Sequence, residues 1–336
     1  YNYNSKKDVT SLKTSCEDII KGIEKDYSYL YETAHSRVQK GRIIRTIWGD
    51  IFNCPNCNYE VDFWDSAVNE QTQTVLAEFP CGNCGVTVNK RKLIKTFETY
   101  FDVITDQTIS RKKEIPKLIY YKVDKKTYTK VPDKVDIENI EKANSLLSKN
   151  WVPIQPIMEG DKTPEFFRNG YKNFHQLYYA RTLFILSEFY KRSSNGHQLF
   201  YLTAIILRAT KLFRWSKNQA GPMMGTFYIA SATFEINPFN LFKNKNKLFD
   251  ALSLTQDFSS AISTSSATDV GISSNSIDYI FTDPPFGHNL MYSELNSIWE
   301  SWLKVFTNNK DEAIENRRQK KSIFEYQRLM ELSFKQ

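Results

Sequence analysis

Residues 277–287 read Ile-Asp-Tyr-Ile-Phe-Thr-Asp-Pro-Pro-Phe-Gly, an apolar run that stops abruptly at an Asp-Pro-Pro-aromatic corner. Ile277, Tyr279 and Phe281 alternate with Asp278 and Ile280, which predicts a buried strand of an open α/β sheet delivering a site at its carboxyl end. Pro284 and Pro285 fix φ and carry no N–H, so the corner is rigid and its carbonyls are free. Gly287 permits close approach of a backbone or ligand. A helix over 292–306 is expected next, the strand, turn, helix setting that such a motif needs. A bare Asp-Pro-Pro also occurs at ordinary strand-to-loop transitions.

The corner suits a planar amine. The lone pair of an exocyclic amino nitrogen on a nucleobase is delocalised into the ring, and acceptors around the NH2 group favour the turn towards tetrahedral geometry that attack requires. Asp283 would supply a carboxylate, Pro284 a carbonyl, and Phe286 a face on which a flipped-out base can stack. Such a site works by positioning and electrostatics.

Cys54-Pro-Asn-Cys57 and Cys81-Gly-Asn-Cys84 are two C-x-x-C pairs separated by 23 residues, a spacing that fits a zinc ribbon with one knuckle turn per pair. The segment between them is long enough for a hairpin of 59–64 against 74–79. Four thiolates would close a tetrahedral site with no open position, so the metal is expected to be structural. Two disulfides or a redox pair are the alternative, without a thioredoxin-like setting or a sign of export to favour them. The ribbon could grip nucleic acid, with Lys90-Arg-Lys92 beside it, or serve as a scaffold; both readings stand. Cys16 is expected to be a small apolar filler.

The 336 residues suffice for a full core and two domains, or for one domain with a large insertion. No uninterrupted apolar stretch is long enough to span a membrane, and no secretory signal leads the chain, so a cytoplasmic setting is expected. The net charge of +7 favours polyanions. It is densest at Arg111-Lys-Lys113, Lys243-Asn-Lys-Asn-Lys247 and Arg317-Arg-Gln-Lys-Lys321, where phosphate contact competes with the role of a solvated face.

Apolar spacing predicts helices over 12–30, 136–148, 173–192 and 198–215, a strand over 117–123 and a strand or hairpin over 226–236. Residues 151–157, with two prolines, read as an extended connector. The Ser/Thr-rich stretch 259–276 leads to the 277–281 strand. None of the four histidines has metal spacing; His288 draws interest as the corner's neighbour.

The segment 267–296, which contains the corner, resembles the motif IV region of S-adenosylmethionine-dependent amino-methyltransferases, in particular large bacterial DNA methylases with a zinc ribbon inside the catalytic chain. The resemblance extends to 47–57 before the ribbon and 173–183 after it. It implies an α/β fold: a partial Rossmann-like methyltransferase core with an inserted zinc ribbon and helical segments. The expected divisions are 1–46 as a helical part of the core, 47–95 as the ribbon, 96–157 as a mixed insertion and linker, and 158–336 as a helical region with motif IV. The resemblance implies Asp283, Pro284, Pro285 and Phe286 as the target-amine pocket of a site-specific enzyme of the restriction-modification type. Gly287, Asn289 and Tyr292 would touch substrate, and Asp269 would lie near the cofactor's adenine. DNA is the expected partner, with N6 of adenine favoured over N4 of cytosine. An RNA enzyme, or a catalytically incomplete zinc-ribbon binding module, is the alternative. The family's Phe-x-Gly-x-Gly turn for S-adenosylmethionine is not found; Gly221-Pro-Met-Met-Gly225 has neither the preceding strand nor the spacing. A missing segment or a second polypeptide is therefore expected to complete the cofactor site, and this chain alone to bind S-adenosylmethionine poorly.

Overall fold

The computed structural model describes residues 8–217, 221–253, 263 and 265–336. Its first helix, α1 (Val9–Tyr27), starts where the Asp8 carboxylate accepts from the Thr10 and Ser11 N–H groups, donors that a helix's first turn leaves unpaired. Its stripe of Leu12, Cys16 and Ile23 is buried. Cys16 is the apolar filler expected: burial pushes its thiol up to about 12. After β1 (Glu32–Ala34) comes β2 (Lys40–Asn53), the spine of the molecule. The ribbon segment adds β3 (Glu60–Asp62), α2 (Phe63–Ala67), β4 (Val68–Asn69), β5 (Thr74–Val75), β6 (Phe79–Pro80), β7 (Thr87–Val88) and β8 (Ile94–Lys95). Then follow β9 (Phe97–Asp102), β10 (Gln107–Lys112), β11 (Glu114–Val123) and β12 (Lys126–Lys130).

β2 pairs with β1 over Lys40 to Arg42 and with β11 from Arg42 to Asp50, and its last residues, Ile51 to Asn53, pair with β3 and β8. One strand thus belongs to both the main sheet and the ribbon. Gly41 is required where β2 passes β11, because a Cβ there would meet the Tyr121 ring at 2.2 Å. The expected hairpin of 59–64 against 74–79 does not form. Each Cys-x-x-Cys knuckle reverses the chain tightly, so the strands beside it pair with each other: β2 with β3 around the first, β6 with β7 around the second. β4 pairs with β5.

Helix α3 (Lys134–Leu146) opens with a reciprocal cap between Asp133 and Asp136, and α4 (Pro164–Arg168) is short. The connector 151–157 is extended, as its prolines require, and it is stitched to the core: Ile157 N–H donates to Lys172 O and His175 N–H to Pro153 O. The helix expected from 173 begins later. Gln176 Oε1 accepts from the Lys172 and Asn173 N–H groups and closes a single 3-10 turn, Phe174–Leu177. After the extended Tyr178, α5 (Ala180–Arg192) starts.

The next helix, α6 (Gly196–Ala209), is capped by Asn195 and ends six residues before Trp215. Residues 213–215 instead run beside β13 (Ala232–Ile236), where Phe234 N–H donates to Phe213 O and Trp215 N–H to Ala232 O. β13 pairs with β2 and is shorter than the 226–236 strand expected. The chain continues through α7 (Pro238–Asn244), α8 (Lys247–Ser253), α9 (Tyr292–Leu303) and α10 (Ile323–Phe334). The main core gathers around α5, whose Phe184, Ile185, Leu186 and Phe189 are all essentially inaccessible to solvent.

Every strand pair among the described residues is antiparallel, so these residues form a mixed helix-and-sheet fold, compatible with the α/β class expected, in which the open parallel sheet of a Rossmann-like core is not seen. Residues 277–281, expected to be a buried strand, form none, the chain bending at Asp278: Tyr279 is 79% exposed and Phe281 84%. A strand of this composition is buried only between neighbouring strands and covering helices, and none of the described strands lies against it. The stretch 259–276 falls partly outside the described residues. Among those residues no helix is long and apolar enough to cross a membrane.

Candidate metal centre and amine-binding corner

The two knuckles have the same construction. Cys54 N–H donates to Tyr59 O and Asn58 N–H to Cys54 O; in the second, Cys81 N–H donates to Val86 O and Gly85 N–H to Cys81 O. The residue after each pair turns left-handed, Asn58 at φ 56° and Gly85 at φ 71°, positions suited to asparagine and glycine. Asn58 is pinned further by Asn53, whose Nδ2 donates to its Oδ1 at 2.9 Å.

The knuckles face each other. Cys54 Sγ lies 3.8 Å from Cys84 Sγ and Cys57 Sγ 3.8 Å from Cys81 Sγ, and all four sulfurs fall within 4.8 Å of one another. Disulfides need about 2.05 Å, whereas Zn–S bonds of about 2.3 Å give tetrahedral edges of about 3.8 Å. The four cysteines could hold a metal ion such as zinc. Asn56 Nδ2 donates to Cys84 Sγ at 3.5 Å; with the Val86 N–H this lowers the Cys84 thiol to about 6, towards the thiolate that a metal needs. Burial pushes the Cys54 thiol up to about 11. Beneath the sulfurs, Phe52, Val61, Phe63, Phe79, Val88 and Leu93 form a small separate core. The ribbon is fastened to the main body by Lys117, which reaches Asp62 at 3.0 Å and Asp65 at 2.7 Å, by Lys113 on Glu60, and by Trp64 edge-on to Trp215.

The corner itself is open. Asp283 and Phe286 are exposed, Phe286 by 64%, while Pro284, Pro285 and Gly287 are half-buried. It is braced from below, in part by Tyr326 and Glu315, which the sequence did not single out. Tyr326 Oη of α10 donates to the Pro285 carbonyl at 2.8 Å. Glu315 N–H donates to Gly287 O, and Asn289 N–H to Phe286 O. Gly287 has φ 49°, and a Cβ there would come within 4.0 Å of the Tyr326 ring. His288 Nε2 lies 3.9 Å from Asp161 Oδ2, a carboxylate that also accepts from Arg317 N–H.

Behind the corner Glu294 is fully buried, pairs with no cation among the described residues and is held by donors: the N–H groups of Asp161 (3.1 Å) and Lys162 (2.7 Å), and Asn316 Nδ2 (2.7 Å). It binds the 158–163 loop and the 314–321 segment to α9. Asn289 is exposed and Tyr292 half-exposed at the start of α9, on the same stretch as the corner.

Asp269 is exposed, in a turn closed by its own N–H on Ser266 O, with the open Gly271 two residues on. No strand leads into a glycine turn beside it among the described residues.

One basic cluster proves structural. Lys112 is 1% exposed, with its ammonium 2.6 Å from Asp50 and 3.1 Å from Glu114. Arg111 pairs with Glu98, and Lys113 with Glu60. Alternation along β10 turns one of three consecutive cations inward, where carboxylates from other strands neutralise it. By contrast, Arg317 and Arg318 are exposed beside the corner, and Arg91 and Lys92 beside the ribbon.

The segments 47–57 and 173–183 meet in space. Trp48 stacks on Tyr179 with centroids 4.5 Å apart. Its Nε1 donates to Glu235 Oε2, which also receives Arg181 Nη2 at 2.7 Å, while Arg181 Nε reaches Glu235 Oε1 at 2.9 Å. Comparison with protein-family models, with curated proteins and with solved structures finds no match.

Proposed function

We propose that the chain carries the base-amine half of a DNA amino-methyltransferase, which transfers a methyl group from S-adenosylmethionine to N6 of a flipped-out adenine. The observation that carries this reading is the rigid, solvent-open Asp283-Pro284-Pro285-Phe286 corner, braced by Tyr326 and Glu315. The Asp283 carboxylate and Pro284 carbonyl would accept the two N–H bonds of the amine, drawing the nitrogen towards tetrahedral geometry, and Phe286 would stack on the extruded base. Gly287, Asn289 and Tyr292 would line the base's approach. Arg317 and Arg318 offer exposed charge for phosphates nearby. Four thiolates leave a bound zinc no open position, so its role would be structural. The cofactor's cradle, including anything to which Asp269 contributes, would be completed by a further segment or polypeptide.

The test is transfer of a labelled methyl group to duplex DNA by the intact polypeptide or complex in which this chain occurs, with RNA as competitor. Asp283→Ala is expected to lower transfer by about a hundredfold or more, the scale of losing one preorganised acceptor, while DNA affinity stays within about twofold. Absence of transfer from the wild type, or transfer that survives Asp283→Ala, would overturn the reading. Preferential methylation of RNA would redirect it to an RNA base amine.

A further inference from the structure

The loop 221–228, Gly-Pro-Met-Met-Gly-Thr-Phe-Tyr, touches both the ribbon and the segment that carries the corner. Gly225 lies against the stretch just beyond the corner, where a Cβ would meet Leu290 Cδ2 at 3.2 Å. At the loop's other end Lys90 Nζ donates to Tyr228 Oη at 3.3 Å, with its ammonium 5.4 Å from the centre of the Tyr228 ring. The loop is held in shape. Gly221 and Gly225 have φ of 81° and 71°, which other residues rarely adopt, and Phe227, buried with its ring centroid 4.5 Å from that of Phe166, anchors the loop to the core.

What this loop presents to solvent is apolar. Met224 is 81% exposed and Met223 42%. Exposed cations stand near each of the loop's contacts. Arg91 and Lys92 follow Lys90 in a turn fixed by their own N–H groups on Asn89 Oδ1. Arg317 and Arg318 are exposed in a turn closed by two backbone hydrogen bonds between Asn316 and Lys321, next to Glu315, whose N–H donates to Gly287 O of the corner.

An apolar tip with fixed cations near it, beside a corner suited to a base, fits a nucleic-acid duplex. Cations meet the phosphates and set the register. An extruded base returns to the stack unless the gap it leaves is closed, and apolar side chains inserted between base steps close it. The unbranched thioether of methionine follows such an irregular space well.

We propose that Met224, with Met223 beside it, is the wedge that enters a DNA duplex at the step from which the target base is extruded, while Arg91, Lys92, Arg317 and Arg318 hold the neighbouring phosphates. The inference rests on the amine-binding reading of the corner, but its readouts need no methyl donor. Equilibrium titration of the intact, zinc-loaded polypeptide or complex with a fully paired duplex and with the same duplex carrying one abasic site tests it. The abasic duplex is expected to bind about tenfold tighter, because its gap needs no unstacking. Met224→Ser should bring the two affinities within about twofold of each other, at an unchanged melting temperature because the side chain is exposed. The double substitution Arg91→Ala and Lys92→Ala should reduce the slope of log affinity against log salt by about 2, one phosphate contact per cation. Duplex DNA should also protect Met224 from oxidation by dilute peroxide. Equal affinity of the wild type for the two duplexes, a preference that survives Met224→Ser, an unchanged salt slope, or a Met224 already protected without DNA, as a protein partner on the loop would leave it, would each overturn the proposal. Methyl transfer by a protein with any of these results would sink the wedge alone; a duplex preference that depends on Met224 in a protein without transfer would sink the transfer reading and leave the wedge standing.

Discussion

Glu114 holds two ammonium groups in the interior, Lys112 at 3.1 Å and Lys211 at 2.7 Å. Burial alone would raise its carboxyl; the two lysines outweigh burial and lower it to about 2. Burial lowers Lys211 to about 8 against the pull of Glu114. The signs of the two linkages follow from proton counts. Glu114, depressed in the folded state, contributes stability that is complete above its ordinary value of 4.5 and is lost as pH falls towards 2. Lys211 is also depressed, so the unfolded chain binds more protons between about 8 and its ordinary 10.5, and its linkage makes stability rise with pH across that window. Glu114→Gln is therefore expected to destabilise the protein by about 3 kcal/mol at pH 7, the scale of breaking a buried pair, and to flatten the loss of stability between pH 5 and 2. Urea midpoints of the two proteins across that range check it; parallel acid limbs would contradict it. None of this was legible in the sequence, where Arg111-Lys-Lys113 read as a surface patch: a run of charges reveals its sign but not which carboxylates the fold carries to it.

Among elements, the ribbon was the most legible and 277–281 the least. Two C-x-x-C pairs prescribe their own geometry, since four sulfurs can share one metal only if each pair turns sharply, and Pro55, Asn56, Gly82 and Asn83 are turn residues. The strand pairing between the knuckles was not prescribed, because spacing fixes where ligands must meet and not which backbone pairs. Helices α1 and α3 and strand β11 followed from local periodicity. The alternation of 277–281, by contrast, records what the segment can pair with, and pairing depends on strands elsewhere. The ribbon carries a direct prediction. The purified chain should hold one zinc, and cobalt substitution should give the visible bands of a tetrahedral thiolate site. Cys57→Ser should reduce bound metal several-fold and expose the Phe52, Phe63 and Phe79 core to proteolysis, since metal binding and folding of such a site are one equilibrium. Full metal content in Cys57→Ser, measured by atomic emission, would contradict the four-sulfur centre.

At the scale of the whole molecule, the division of burial is uneven. The antiparallel sheet on β2 and the helices around α5 enclose a continuous aromatic core, while the stretch leading to the corner leaves Ile277, Tyr279, Ile280 and Phe281 between 53% and 84% exposed. A run of this kind on a protein surface marks a contact, and its β-type composition suits a sheet position. The corner beyond it is braced independently, through Tyr326 and Glu315, so its shape does not require the stretch to be paired. This separates stability from activity. Phe281→Ser removes a ring that touches little of the described core, so the urea midpoint of the chain should move by no more than about 0.5 kcal/mol equivalent, as for other exposed sites. Backbone amides of 277–281 should exchange with solvent far faster than those of β2 and β11, whose ladders are buried. Were the chain to act in methyl transfer as proposed, the same substitution should reduce transfer, because the stretch would then be packed as a strand and would carry Asp283 into register with the methyl donor. A large loss of stability in the chain alone, or slow exchange at 277–281, would show that the stretch already has its partner within this chain.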